Sequence, residues 1–460
     1  MADRFEIRTF GCQMNQHDAE KIRNLLYHAD FRESTEADAP ADLVLIHTCS
    51  VREKAEQKLY TELGWLSLQK REKPDMVIGV GGCVAQQEGE RLLNRFPQLD
   101  FVFGPQNLRH LPAMVDAARL RRRTLHVDYE EDAAARFELP ERHPEYTPAT
   151  PGRAFVTVME GCDMFCAFCV VPRTRGREVS RPSRAILQEV RSLAERGVRE
   201  ITLLGQTVNA YGRPRPGRAE GEIPFAQLIR EVAAVEGIER VRFTSSHPAF
   251  VTPELIAAYG DVAELCPHLH LPVQSGSSRL LARMNRRHDR DDYLRLIEQL
   301  RAVRPDVSVT TDVIVGFPGE TREDFDATLS LVREVGFVDG FSFKYSVRPG
   351  TPVLRRDDPA VSPDEAQERL EELQSLQREL TLRAHQRRIG ELCEVLVEGA
   401  SRRGGGQQSG RCPHNRVVNF RACAPQLAGT LTRLRIVDAT PHSLLAVSPN
   451  EDTTLALPLL

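Results

Sequence analysis

The sequence lacks any run approaching the ~18 consecutive uncharged apolar residues of a membrane span, so no membrane association is expected. Its start, Met1-Ala2-Asp3-Arg4, places an acid where a signal peptide needs a basic flank and an apolar run. A cytoplasmic chain is expected. Charge of one sign is also lacking: 61 Lys and Arg stand against 65 Asp and Glu, a net −4. That excludes a wholly basic nucleic-acid binder but not a local basic patch. Ten cysteines in 460 residues fall far short of a disulfide scaffold, at ~8–10% Cys. Cysteines this sparse in a reducing compartment are metal ligands or catalytic groups more often than bridges. There is no internal repeat, and no low-complexity tract beyond Gly404-Gly405-Gly406. What remains is a globular composition, 41% apolar and 27% charged, long enough for roughly three domains.

The first segment, residues 1–127, alternates strand and helix. Strands are expected at Phe5–Phe10, Leu43–Ile46 and Met76–Val80, each running into a cysteine: Gly11-Cys12, Thr48-Cys49 and Gly82-Cys83. Asp18 to Asp30 reads as a helix, and Ser50 with Glu53 as a capping box opening the next one. This pattern predicts a doubly wound parallel sheet. Residues 128–152, with Pro140, Pro144, Pro148 and Pro151, read as a linker. Residues 153–361 alternate again, with six strands expected at Ala154–Met159, Ile201–Leu204, Val241–Thr244, Leu269–Leu271, Val307–Val315 and Phe341–Tyr345. Six strand–helix units suit a partial barrel, whose active site faces the C-terminal strand ends. Residues 362–390 predict one connecting helix, with Ser362 as cap and Pro363 in its first turn. Short strands at Cys393–Val397, Val417–Phe420, Gly429–Ile436 and Ser443–Val447 make residues 391–460 a small β-barrel. The expected class is therefore α/β: an N-terminal doubly wound parallel sheet, a central six-unit partial barrel and a C-terminal small β-barrel.

The strongest chemical signal is Gly161-Cys162-Asp163-Met164-Phe165-Cys166-Ala167-Phe168-Cys169, directly after the first strand of the middle segment. Three thiolates on one tight loop can hold three irons of a cubane cluster and leave the fourth open to a small molecule. A structural zinc site needs four ligands, and no fourth stands close by in sequence. The Cys-x3-Cys-x2-Cys loop, with aromatic Phe168 before its last cysteine, resembles that of the radical S-adenosylmethionine enzymes. The resemblance implies a 4Fe-4S cluster on Cys162, Cys166 and Cys169 whose open iron chelates S-adenosylmethionine. It also implies reductive cleavage to a 5′-deoxyadenosyl radical, and hence a reducing electron donor.

Cys12, Cys49 and Cys83 are separated by 37 and 34 residues and form no motif as a string. On a parallel sheet their strand ends share one edge, where three thiols can converge on a second cluster. Three unrelated loop cysteines satisfy the same pattern. The surrounding residues go further. Thr9-Phe10-Gly11-Cys12-Gln13-Met14-Asn15, His47-Thr48-Cys49-Ser50-Val51-Arg52 and Gly81-Gly82-Cys83-Val84-Ala85-Gln86 resemble the three cysteine motifs of the methylthiotransferases. Asn415–Phe420 and Ala439–Leu444 resemble the RNA-binding barrel (TRAM-like) that ends those enzymes. The resemblance spans essentially the whole chain. It is nearest the tRNA branch that modifies N6-isopentenyladenosine at position 37, beside the anticodon; Ala55–Lys58 and Arg348–Pro352 fit that branch too. It implies a second 4Fe-4S cluster on Cys12, Cys49 and Cys83, and S-adenosylmethionine as both methyl donor and radical source. A tRNA anticodon loop, a sulfur source and a monomeric chain are implied as well. Within the class, the alternatives are a threonylcarbamoyladenosine-modifying tRNA enzyme or one acting on a ribosomal-protein aspartate; Gly11–Asn15 argues against both. A non-catalytic iron–sulfur RNA-binding protein is the alternative of another class, and the open-iron loop argues against it.

Other positions carry weaker signals. Gly205, Gln206 and Asn209 sit where the family has a cofactor-binding turn. Ser245 and Gln274 follow the third and fourth middle strands, and with Phe168 complete the residues expected around S-adenosylmethionine. Ordinary turn chemistry accounts for the same residue types. Asp312 stands where the superfamily often has Gly, and Arg287-His288-Asp289 departs from the branch's tyrosine-containing sequence. Arg173, Arg175, Arg177, Arg181 and Arg184 are opposed only by Glu178, and residues 391–450 carry a +3 balance. Either run can be a phosphate-binding patch or a solvated face. Cys266, Cys393, Cys412 and Cys423 read as packed or free thiols; Cys412, His414 and Cys423 are too irregularly spaced for a strong zinc reading.

Overall fold

The computed structural model of the chain describes residues 3–449 except 35–40, 51–52, 131, 133–134, 146–147, 149, 215–221, 402–403, 405 and 422–426. The side chains of 53–55 also lie outside the description, and the expected Ser50–Glu53 capping box falls there with Val51 and Arg52. Cys423, Arg402 and Arg403 are likewise outside it. The chain forms two compact units. The first is residues 1–147 with 160–163 and 169–181; the second is 148–159, 164–168 and 182–460.

In the first unit, six parallel strands lie in the order β2-β1-β3-β4-β5-β6. They are β1 (Arg4–Phe10), β2 (Arg32–Glu33), β3 (Leu43–Thr48), β4 (Val77–Gly82), β5 (Phe101–Phe103) and β6 (Thr124–His126). The reversal of strand order at β1 makes the sheet doubly wound, with the crevice between β1 and β3 at the ligand-collecting position. β3 and β4 are buried along their whole length, as central parallel strands must be. Each sheet face has its own core. One packs Ile22, Leu26 and Leu111 on Leu43, Leu45 and Phe103; the other packs Leu59, Leu63 and Leu66 on Val44, Ile46 and Ile78. Beyond β6 the proline-rich stretch is pinned to this unit: the Glu130 amide donates to Gln106 (2.8 Å) and Asn24 donates to the Pro140 carbonyl (3.1 Å).

The second unit contains the expected six strands: β7 (Arg153–Thr157), β8 (Glu200–Leu204), β9 (Arg240–Phe243), β10 (His268–His270), β11 (Ser308–Val315) and β12 (Asp339–Lys344). They pair in parallel as two three-stranded sheets, β7-β8-β9 and β10-β11-β12. The Cys266 amide bonds the Val241 carbonyl (3.0 Å) and links the two. Amphipathic helices such as Ser183–Glu195 and Arg322–Val335 bury Ile186, Val190, Phe325 and Val332 in one core with the strands' outer faces. This is the six-unit partial barrel. The helix Pro363–Gln386 is capped by Ser362, which accepts from the Glu365 amide. It leads into a closed barrel of β13 (Leu392–Ala400), β14 (Gln408–Arg411), β15 (Val417–Phe420), β16 (Leu431–Ala439) and β17 (Leu444–Val447).

The small barrel docks on the N-terminal ends of the partial-barrel strands. Arg240, opening β9, donates to the Glu394 and Arg411 carbonyls (2.9 and 3.0 Å). Arg242 donates to the Cys412 and Pro413 carbonyls (both 2.8 Å) and pairs with Glu200 at the start of β8 (3.0 Å). Arg153 meets Glu398, and Arg416 meets Asp339. The end that carries the barrel is therefore opposite the C-terminal strand ends where barrel active sites form.

Candidate active site: two sets of three cysteines

Cys12, Cys49 and Cys83 directly follow β1, β3 and β4, three neighbouring parallel strands. Cys12 caps the helix Gln13–His28, whose N-terminus favours thiolate, and Cys83 opens the short helix Cys83–Glu88. Cys12 is drawn down to about 6 by its hydrogen bond to Cys49 and by the Arg175 charge, against the opposing effect of burial. Burial pushes Cys83 up, while Arg175 and its hydrogen bond to that thiol oppose the rise. Glycines permit this close approach. At Gly82 (φ +99°) an added Cβ would stand 2.4 Å from the Thr48 carbonyl oxygen; at Gly11 (φ +148°) it would stand 2.4 Å from Cys49 Cβ.

The motif residues around the thiols brace them. Cys12 Sγ donates to Asn15 Oδ1 (3.1 Å), and Asn15 Nδ2 donates to the Thr48 carbonyl (3.1 Å) and meets His47 Nδ1 (3.1 Å). Burial drives the His47 imidazole down to about 4, so it is neutral, and its Nε2 is buried with no hydrogen-bond partner among the described residues. Among those residues no three Cys, His, Asp or Glu converge tightly enough to hold a single metal ion. Three thiols are the donor type that iron–sulfur clusters take, one per iron.

The second set lies on the continuous loop after β7, whose residues divide between the units: Cys162 and Cys169 in the first, Cys166 in the second. Cys162 and Cys166 are buried and Cys169 half-buried. In the first unit Gly161 (φ +81°) is obligatory, since a Cβ would meet the Arg177 carbonyl oxygen at 2.1 Å, and Asp163 pairs with Arg177 (2.7 Å). In the second unit the segment Met284-Asn285-Arg286 holds the loop. The Met284 carbonyl accepts from the Ala167 amide (2.8 Å), Asn285 donates to the Phe165 carbonyl (2.9 Å), and Arg286 donates to Cys166 Sγ (3.6 Å). Sequence reasoning missed Arg286. Its signal was only a cationic side chain two residues past a buried methionine.

Four non-glycine residues of the second unit take positive φ at this end: Phe165 (48°), Ser245 (66°), Gln274 (76°) and Asn285 (56°). Such strain persists only where the surroundings enforce it, and it concentrates at functional sites. The Gln274 backbone pairs in parallel alongside β11, donating to the Asp312 carbonyl and accepting from the Ile314 amide. Asn209 is buried and committed to a neighbour: Nδ2 donates to the His247 carbonyl and Oδ1 accepts from its amide, both at 2.9 Å. Its amide therefore locks the turn after β8 to the turn after β9. Gly205 packs on Met159, where a Cβ would stand 2.4 Å from Cγ. Phe168 packs beside Ala167, Leu280, Met284, Phe317 and Val353.

The basic run differs from its expected role. Arg173, Arg177 and Arg184 are exposed, but Arg175 is buried and pairs with buried Asp18 (2.5 Å). A charge count along the chain does not distinguish a solvated arginine from an internal one. In the small barrel Arg411 and Arg416 are spent on Glu398 and Asp339, whereas Arg421 and Arg433 are exposed.

Comparison with known proteins bears on these features. Residues 156–332 match the radical SAM superfamily, and residues 4–104 match a family described as uncharacterized protein family UPF0004. A tRNA-2-methylthio-N(6)-dimethylallyladenosine synthase of Geobacter metallireducens is 50% identical over 439 residues, covering 95% of this chain and 97% of the relative. The synthase of the same name from Chromohalobacter salexigens is 48% identical over 448 residues, covering 96% and 98%. The chain belongs to the tRNA-2-methylthio-N(6)-dimethylallyladenosine synthase family. Among solved structures, the radical S-adenosylmethionine methyltransferase TsrM from Kitasatospora setae shares the fold, with a TM-score of 0.53 at 15% identity, covering 76% of this chain and 75% of that one. The cobalamin-dependent radical enzyme OxsB does so at 0.52 and 13%, covering 81% and 56%. The cysteine loop after β7 lies within the stretch that matches the radical SAM superfamily. Among the described residues no helix is long and apolar enough to cross a membrane.

Proposed function

We propose that this chain converts N6-isopentenyladenosine at position 37 of tRNA to its 2-methylthio derivative by radical chemistry, in the cytoplasm and as a monomer. The observation that carries this reading is the pair of three-cysteine sets at C-terminal strand ends, in a chain about half identical to the synthases over almost its full length. Cys162, Cys166 and Cys169 hold a 4Fe-4S cluster that, with S-adenosylmethionine, supplies the radical; Cys12, Cys49 and Cys83 hold a second 4Fe-4S cluster that supplies the methylthio sulfur. An external electron donor and a sulfur source complete the reaction.

The chain's own residues then have definite tasks. Arg286 and Asn285 hold the Cys166 segment in shape, and Asn15 and neutral His47 set the Cys12 and Cys49 strand ends. Gly205, Gln206, Asn209, Ser245, Gln274 and Phe168 form the lining for S-adenosylmethionine, with Asn209 setting the turn geometry. The domains are residues 1–127, 153–361 and 391–460, joined by 128–152 and 362–390. Two measurements test the reading together. Nucleoside analysis of tRNA from a deletion strain should show loss of the methylthio derivative with the isopentenyl group retained. Anaerobically reconstituted protein should hold about eight irons per chain, four per cubane. Unaltered nucleosides, or a count near four, overturn it.

The small barrel grips RNA through its exposed cations. Extraction of one base from the anticodon-loop stack costs a few kcal/mol, and phosphate contacts elsewhere help offset it. Replacing Arg421 and Arg433 with Glu should weaken tRNA binding and reduce the steepness of its salt dependence by roughly 0.7–0.9 per lost contact. Affinities at several salt concentrations check this, and an unchanged slope refutes it.

A further inference from the structure

Beneath the Cys12–Cys49–Cys83 set lies a buried charge network. Arg175 and Asp18 are 3% and 0% exposed and pair at 2.5 Å. Lys21 approaches Asp18 (3.8 Å) and Glu160 (3.6 Å), and Arg175 Nη1 lies 4.0 Å from Glu160, beyond hydrogen-bond reach. Formal charges thus balance within the network, two cations against two carboxylates. Arg175 directly follows the short helix Val171–Thr174, which packs against the helix that Cys83 opens. Its Nη1 has no hydrogen-bond partner among the described residues. The backbone that presents it is fixed, because Gln106 donates to the Arg175 carbonyl (2.7 Å).

A buried, oriented guanidinium with an unsatisfied N–H, on a segment packed against the Cys83 helix, is an expensive arrangement for packing alone. It becomes favourable once the thiols are thiolates of an anionic cluster. Reducing a cluster adds one negative charge, and a fixed cation with N–H groups aimed at its sulfurs favours the reduced form. We propose that Arg175 is a positioning residue of the N-terminal three-cysteine site: oriented by Asp18, its guanidinium donates to Cys83 and raises the reduction potential of the cluster bound there. The proposal rests on the second-cluster reading above. Arg175 lies six residues past Cys169, so one chain segment carries a ligand of the radical cluster and the charge that sets the other.

The test uses full-length protein with Cys162, Cys166 and Cys169 replaced by Ala, leaving only the N-terminal site to load. Iron content and an anaerobic redox titration followed by electron paramagnetic resonance are measured on this parent and on Arg175→Gln, Arg175→Lys and Asp18→Asn. The parent should hold four irons. Arg175→Gln should lower the reduced-to-oxidised ratio at fixed potential about tenfold, as expected for loss of one charge-assisted hydrogen bond. Arg175→Lys should recover part of that loss. Asp18→Asn should shift the ratio the opposite way, because it leaves the cation uncompensated. A purely structural ion pair predicts the same loss of iron from Arg175→Gln and Asp18→Asn and no shift of opposite sign. If Arg175→Gln does not retain iron, the sign of the Asp18→Asn shift decides. A parent without iron overturns the second cluster and this inference with it. A parent with four irons and unmoved, or like-signed, potentials overturns the inference alone.

Discussion

Protein in which Cys12, Cys49 and Cys83 are all replaced by Ala should yield no methylthio product, yet should still cleave S-adenosylmethionine reductively. The separation follows from where the two sets of cysteines stand. These three cysteines end β1, β3 and β4 of the N-terminal sheet, whereas the other three occupy a single loop after β7. Replacing the first set removes three small buried or half-buried groups and adds no charge, so the sheet should persist. Product analysis by mass spectrometry, with 5′-deoxyadenosine measured in the same reaction, reads both halves. Normal methylthio product from this variant would remove the sulfur role from the N-terminal sheet.

Arg242→Ala should have the largest effect on stability. Arg242 joins three things at once: Glu200 on β8, its own strand β9, and the Cys412 and Pro413 carbonyls of the small barrel. Glu200 is fully buried and Arg242 is 7% exposed. Removing the cation leaves a buried carboxylate whose nearest remaining cation is 3.8 Å away, Arg240 Nη1, among the described ion pairs. Breaking one partner of a buried pair typically costs about 3–5 kcal/mol. Denaturant unfolding should show that loss, and limited proteolysis should release a fragment beginning near residue 391. A variant as stable as the parent would show that the contact contributes little. The same docking means that deleting residues 391–460 uncovers Arg240, Arg242 and Glu200, so substitutions at exposed Arg421 and Arg433 probe RNA binding more cleanly than truncation.

Much of this architecture was legible in the residues. β1 announces itself as an alternation of apolar and polar residues, and β3 and β4 as apolar runs, each ending at Gly-Cys or Thr-Cys; all six strands of the partial barrel appear within a residue or two of their expected places. What escaped was short or non-local. β2 has two residues and β6 three, too few for any period, and β14, Gln408–Arg411, is polar with a glycine. β5 is three buried residues, Phe101–Phe103, indistinguishable from a fragment of buried helix. Asp18 and Arg175 escaped for a different reason: each looks like a surface charge until its partner is known, and that partner is 157 residues away. Arg286 was hidden among neighbouring arginines, since only its approach to Cys166 sets it apart from Arg287.

That 157-residue separation has a consequence during synthesis. At roughly 5–20 residues per second, Asp18 leaves the ribosome about 8–30 s before Arg175. By the end of that interval the nascent N-terminal sheet has its strands but not yet the cation its buried carboxylate requires. Its last piece arrives with residues 160–163 and 169–181, the stretch that also brings Cys162 and Cys169. Residues 1–127 alone therefore lack the cation that the buried Asp18 carboxylate pairs with, and the stretch that supplies it is the one that carries Cys162 and Cys169.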